Sequence, residues 1–236
     1  MIPSSDPPAG FAGDPAGEVE SDVPETSPAA LLAPLGTAPA APVRKRPRPG
    51  ERRIQILETL ATMLQEPGAD RITTAALAAR LDVSEAALYR HFASKAQMFE
   101  GLIEFIEQSV FTLVNQVLER EPSPDAQVQR ILVVLLQFGE KNPGMSRVMV
   151  GDALVFENER LQARMNQFFD RIESQLRQGL RARAEAAGAA TPTVDANAQA
   201  SALTSFAIGR LQRFARSGFR KSPTEDLDVA LRLFVA

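Results

Sequence analysis

From residue 52 onward apolar residues recur three and four positions apart, and no stretch alternates as a strand would. The chain is therefore expected to be all-α. Ile54, Leu57, Leu60, Ala61 and Leu64 make the buried stripe of a first helix, which Pro67 and Gly68 terminate. Two short helices follow, and then a long one from Lys95 or Ala96 to about Arg120, with Leu102, Ile106, Val110, Leu113 and Val117 on one face. Pro122 and Pro124 break the chain. The next helix, about Asp125 to Glu140, carries the run Ile131 to Leu136, apolar on all sides, which belongs in the middle of a bundle. After the stop Asn142-Pro143-Gly144 a short helix is expected over Met145 to Phe156. Leu161, Met165, Phe168, Ile172 and Leu176 mark a helix reaching Ala187; Leu203, Phe206, Ala207, Leu211 and Phe214 mark another, and Leu227 to Val235 the last. Phe168, Ile172, Leu203, Phe206, Leu211 and Phe214 are the expected two-fold contact between copies, since a long apolar stripe is best buried against its symmetry mate.

Composition separates the first 50 residues from the rest. They hold 11 of the 17 prolines, with Ala, Gly and Ser between, and bury too little apolar surface to offset ordering, so they read as a disordered tail. The tail ends in Arg44, Lys45, Arg46 and Arg48, continued by Arg52 and Arg53, either a solvated linker or a phosphate-binding arm. Residues 51–98 then read as a DNA-binding domain and 99–236 as a helical dimerisation and partner-binding domain. The net charge of -3 hides a division: -6 over residues 1–43, +3 over 44–100, and zero beyond. The basic excess travels with the short helices. Absence of cysteine excludes disulfides and thiolate metal sites and suits a reducing cytoplasm. No apolar run approaches the roughly 20 residues of a membrane span, so no membrane partner is expected.

The informative stretch runs from Arg71 to Lys95. Thr73 or Thr74 caps the first short helix, Asp82 takes a left-handed turn, Val83 plugs the angle, and Ser84 caps a second helix of about two turns suited to a major groove. Leu88 faces inward with Ala87 and Phe92, which turns Glu85, Ala86, Tyr89 and Arg90 outward. Phosphate needs donors, and Thr73, Thr74, Tyr89, Arg90, His91 and Lys95 supply hydroxyls, a guanidinium fork, a ring N–H and a point charge. Ser84, Glu85, Ala86 and Tyr89 at the tip are the candidates for base edges. Duplex DNA is the expected partner.

Tyr89-Arg-His-Phe92 and Ser94-Lys95, followed by an amphipathic helix, resemble the TetR regulator family. Further segments, among them Val83 to Phe92, Leu102 to Glu107, Phe138 to Gly144 and Arg171 to Arg177, resemble the nucleoid occlusion factors within it. That resemblance implies an N-terminal helix-turn-helix and a C-terminal helical dimerisation bundle. It also implies a nucleoid-associated homodimer, or a higher-order assembly of such dimers, that binds palindromic chromosomal sites and antagonises FtsZ assembly.

A protein partner needs a surface, and Phe105 and Thr112 fall to one side of the buried stripe on the long helix. Val134, Lys141 and Asn142 on the next helix would complete a groove with an aromatic anchor and a cation, suited to the apolar and charged FtsZ C-terminal tail. The competing reading is a ligand-responsive repressor with a cavity in the C-terminal bundle. Catalysis is not expected: with one His and no Cys the familiar triads and His-rich metal sites cannot be assembled, and no phosphate-cradling Gly loop is present, so no cofactor is implied.

Overall fold

The computed structural model describes residues 50–66 and 71–234, and every regular element among them is a helix. The Pro-rich tail with Arg44, Lys45, Arg46 and Arg48, the Pro67-Gly68 stop and Val235 lie outside the described residues. The first helix, α1 (Glu51–Met63), buries Ile56, Leu60 and Ala61, with Leu64 just beyond its end. Ile54, expected in that stripe, is exposed; the helix is turned so that Ile56 takes the inward place.

α2 (Thr74–Arg80) and α3 (Glu85–Tyr89) form the helix-turn-helix. Thr73 Oγ accepts from the Ala76 amide at 3.1 Å and Ser84 Oγ from the Ala87 amide at 3.2 Å, so each short helix is started by its own hydroxyl. Between them Asp82 adopts φ 53°, the left-handed geometry the turn requires. α3 has five residues, shorter than the two turns expected, because the Arg90 and His91 amides already turn into a tight exit.

The long helix α4 (Lys95–Arg120) begins under the helix-turn-helix, capped by Ser94, and runs away from it. α5 (Pro124–Lys141) returns, and its all-round apolar run is buried as expected. α6 is Pro143–Met149. The helix expected to continue to Phe156 stops there because Gly151 turns left-handed at φ 83°; a single 3-10 turn, Asp152–Leu154, follows, and Val155 and Phe156 stand exposed. α7 (Glu159–Ala186) leaves the helix-turn-helix end again, and α8 (Pro192–Arg216) packs back along it toward that end. α9 (Leu227–Phe234) closes the bundle, the Phe234 ring centre lying 4.9 Å from that of Phe206.

The residues expected to meet a second copy are spent inside one chain. Phe168, Ile172, Leu203, Leu211 and Phe214 are buried in the single subunit and Phe206 is half-buried, because α7 and α8 pack on each other and on α5. Outward along α8 lie Val194, Ala198, Ser201, Ala202, Ser205 and Gly209. The bundle interior is filled by leucine, isoleucine and phenylalanine, and clefts of about 310, 410 and 440 Å³ open at the surface among charged and polar residues.

The two halves meet where backbone touches backbone. Gly144 of α6 lies against the Ala61 carbonyl and the Leu64 side chain, and a Cβ there would overlap the Ala61 oxygen. Main chain cannot rotate aside as a side chain can. Gly144→Ala should therefore lose about 1–3 kcal/mol of stability, typical of an overpacked core site, measured as a lower urea midpoint at unchanged slope.

Candidate nucleic-acid interface

α3 is presented by a small scaffold. Leu88 and Phe92 are buried beneath it together with Leu77, while Ser84, Glu85, Ala86, Tyr89, Arg90 and His91 are exposed on one continuous surface. Arg53 of α1 holds the end of that surface: its guanidinium lies 4.0 Å over the Phe92 ring and donates to the His91 carbonyl at 2.9 Å. The sequence pattern offered Arg53 as part of a linker or a phosphate arm; in the structure it fastens α1 to the exit of α3. No local signal distinguishes it from its neighbours, since its partner lies 38 residues away.

Three of the nine expected DNA-facing residues are engaged within the protein. The Thr74 hydroxyl donates to Glu85 Oε2 at 2.5 Å, tying α2 to α3, so neither acts as an independent reader. Lys95 is half-buried, pairs with Glu157 and lies 5.6 Å from the Phe99 ring centre. Glu157, 62 residues downstream, escaped sequence reasoning for the same reason as the Arg53 contact. Thr73, Ser84, Ala86, Tyr89, Arg90 and His91 remain on the open face, Thr73 and Ser84 with their oxygens capping helices and their O–H groups left to donate.

The five residues expected to meet a protein partner are distributed unevenly. Phe105 is half-buried, its ring 6.2 Å from Phe138, so this pair marks the seam between α4 and α5. Thr112 lies two turns from Phe105 on the same face of α4, and Lys141 lies two turns from Val134 on the same face of α5. Thr112 and Lys141 are exposed and Val134 half-buried, so the four positions line one seam. Asn142 does not join them: it is 2% exposed, and its side-chain amide donates to the Phe138 carbonyl at 2.9 Å to close α5. That residue is a helix terminator rather than a surface contact.

Among the described residues no cluster of His, Asp or Glu suits a metal ion, and no helix is long and apolar enough to cross a membrane.

Residues 56–102 match the model of bacterial regulatory proteins of the tetR family, and residues 125–236 match that of the tetracyclin repressor-like, SlmA-like C-terminal domain. Among solved structures, the TetR family transcriptional regulator PfmR from Thermus thermophilus superposes with a TM-score of 0.62 at 23% identity, covering 77% of this chain and 97% of that one. The fatty acid degradation regulator FadR from Bacillus halodurans gives 0.64 at 12% identity over 80% and 97%. At such identities these establish the fold alone. The nucleoid occlusion factor SlmA of Salmonella dublin is 50% identical over 186 residues, 78% of this chain and 93% of that protein. Its counterpart in Aliivibrio fischeri strain MJ11 is 52% identical over 183 residues, 77% and 93%. These relatives are named as regulators, not as enzymes. With half of its residues shared across nearly the whole length of such relatives, the chain belongs to the nucleoid occlusion factor SlmA family of TetR-type regulators.

Proposed function

We propose that this protein is a nucleoid occlusion factor: a homodimer that grips palindromic chromosomal DNA through α3 and, so bound, antagonises FtsZ assembly through the α4/α5 seam. The carrying observation is the half-identity to named nucleoid occlusion factors, which spans both α3 and that seam. The filled bundle interior gives the ligand-responsive repressor no specific support. It acts in the cytoplasm, on the nucleoid.

On this reading Arg90, His91 and Tyr89 grip phosphate beside bases read by Ser84 and Ala86, while Lys95 must leave Glu157 to reach DNA. Lys141 supplies the cation and Phe105 the half-buried aromatic wall for an FtsZ tail. The small outward residues of α8 let a second copy approach closely.

Arg90→Ala should weaken binding to every duplex and lower the salt slope by about one unit per half-site. Glu157→Gln should do the opposite at low salt, tightening DNA by releasing Lys95; anisotropy titrations from low to physiological salt read both. If neither variant changes affinity, DNA is held elsewhere.

Gly209→Arg should yield a folded monomer in sedimentation velocity, because a side chain there meets only open space within the subunit. A variant still dimeric at low micromolar concentration would place the two-fold contact off α8.

Lys141→Glu should keep its fold, its dimer and its DNA affinity, yet lose most of the DNA-stimulated fall in FtsZ polymer recovered by sedimentation. Retention of full activity would count against the seam. Wild-type protein with its DNA leaving FtsZ polymer untouched would remove the proposal altogether.

A further inference from the structure

α8 carries its charge at one end. Arg210, Arg213, Arg216, Arg220 and Lys221 stand against Glu225 and Asp226 over residues 210–226, a net +3 in a chain of net -3. Helix-dipole compensation accounts for Arg213 and Arg216 in the last turn. It does not account for Arg220 and Lys221, which lie beyond the helix.

The loop that carries them is built, not loose. The Ser217 hydroxyl donates to the Phe214 carbonyl at 2.8 Å, and its oxygen accepts the Arg220 and Lys221 amides at 3.0 and 2.9 Å. Gly218 and Phe219 both take φ 63°, and the Phe219 ring packs edge-on against Phe214 with centroids 5.2 Å apart. Glu140 of α5 accepts from Ser222 and, at 2.5 Å, from Thr224. Arg210 donates to the Pro223 and Glu225 carbonyls, and Arg220 Nε to the Ser217 carbonyl. The side chains of Arg213, Arg216 and Lys221, all exposed, have no such partner among the described residues.

Their position follows from helix direction. α7 starts beside α4 at the helix-turn-helix end, where Arg160 pairs with Glu100, and finishes at the far end, where Arg183 pairs with Asp125. α8 starts there, Gln199 accepting from Arg183, and returns until Leu211 lies on Gly139 near the close of α5. α6, which leads out of α5, touches α1. Arg213, Arg216 and the 217–221 loop thus occupy the end of the bundle that adjoins the DNA-binding helices.

We infer that this cationic end of α8 is a second, sequence-independent contact to the duplex that α3 grips. Glu225 and Asp226 line the same cleft as Arg213 and Lys221, so the field there is mixed and a short acidic peptide gains little from it. Duplex DNA presents one charge per about 1.7 Å of axis, a dense array that three unpaired cations attract despite the two carboxylates. Guanidinium forks suit phosphate oxygens. The inference rests on the DNA-binding reading above and adds the C-terminal domain to its footprint.

The test is the salt dependence of binding to a random-sequence duplex of about 30 base pairs, long enough to run past both readers. Arg213→Ala/Arg216→Ala/Lys221→Ala should bind on the order of tenfold more weakly at low salt, with a slope about two units smaller per dimer. Arg213→Lys/Arg216→Lys should keep the wild-type slope, and the single exposed change Arg216→Glu, which leaves the loop untouched, should lower it by about one unit per subunit. Arg90→Ala on the same duplex reports on α3 by itself, so failure of the underlying reading shows as an unchanged Arg90→Ala. If Arg90→Ala weakens binding while the triple variant and Arg216→Glu keep wild-type affinity and slope, the second contact does not exist. Loss of FtsZ-tail binding with an unchanged slope would assign the patch to an acidic peptide and overturn the inference as well.

Discussion

The whole arrangement depends on one helix being buried at both ends by different neighbours. Near its start α4 packs Met98, Phe99, Leu102 and Ile103 under the DNA-binding helices; further along, Ile106, Val110, Leu113 and Val114 enter the bundle core. Either half alone would be a marginal unit, since small cores bury a low fraction of their surface. Sharing α4 makes one continuous hydrophobic core from Ile56 in α1 to Leu231 in α9. The interface to DNA and the seam at Phe105 then stand on the same rod, about seven residues apart from Met98, or some 10 Å at about 1.5 Å per residue.

A row of ion pairs fixes the other flank of that rod. Lys95 pairs with Glu157, Arg160 with Glu100 at 2.6 Å, and Arg164 with Glu107 through a two-pronged contact at 3.1 and 2.6 Å. The hydrogen bonds from Arg164 to Glu107 raise its guanidinium above its ordinary range, against the effect of partial burial. Pairs this exposed contribute little to stability individually. Their effect is registry: the spacing of Glu100 and Glu107 against Arg160 and Arg164 admits α7 in one axial position along α4.

Much of this was legible in the sequence because it is local. The caps Thr73 and Ser84, the left-handed Asp82, the outward set on α3 and the limits of α4 follow from short-range periodicity and turn chemistry, and all are present in the structure. Hidden were contacts between residues far apart in the chain, such as Arg53 with His91 and Lys95 with Glu157. The same limit explains the dimer stripe. Periodicity identifies Phe168, Ile172, Leu203 and Leu211 as buried but cannot say whether the cover is another helix of the same chain or another copy. It was the former. Asn142 is a similar case: polar and at a helix end, it reads as surface, yet its amide is consumed in ending α5.

The meeting of Gly144 with the Ala61 carbonyl bears on how two such subunits would measure DNA. A joint made of main chain has no rotamers to exchange, so the angle between the reading helix and the bundle is a property of the backbone and not of adjustable side chains. Coupled by a two-fold axis, two subunits would act as calipers with a stiff pivot, their jaws held at one separation. Selectivity would then come from the distance and phase between half-sites along the duplex, with few base contacts needed within each half.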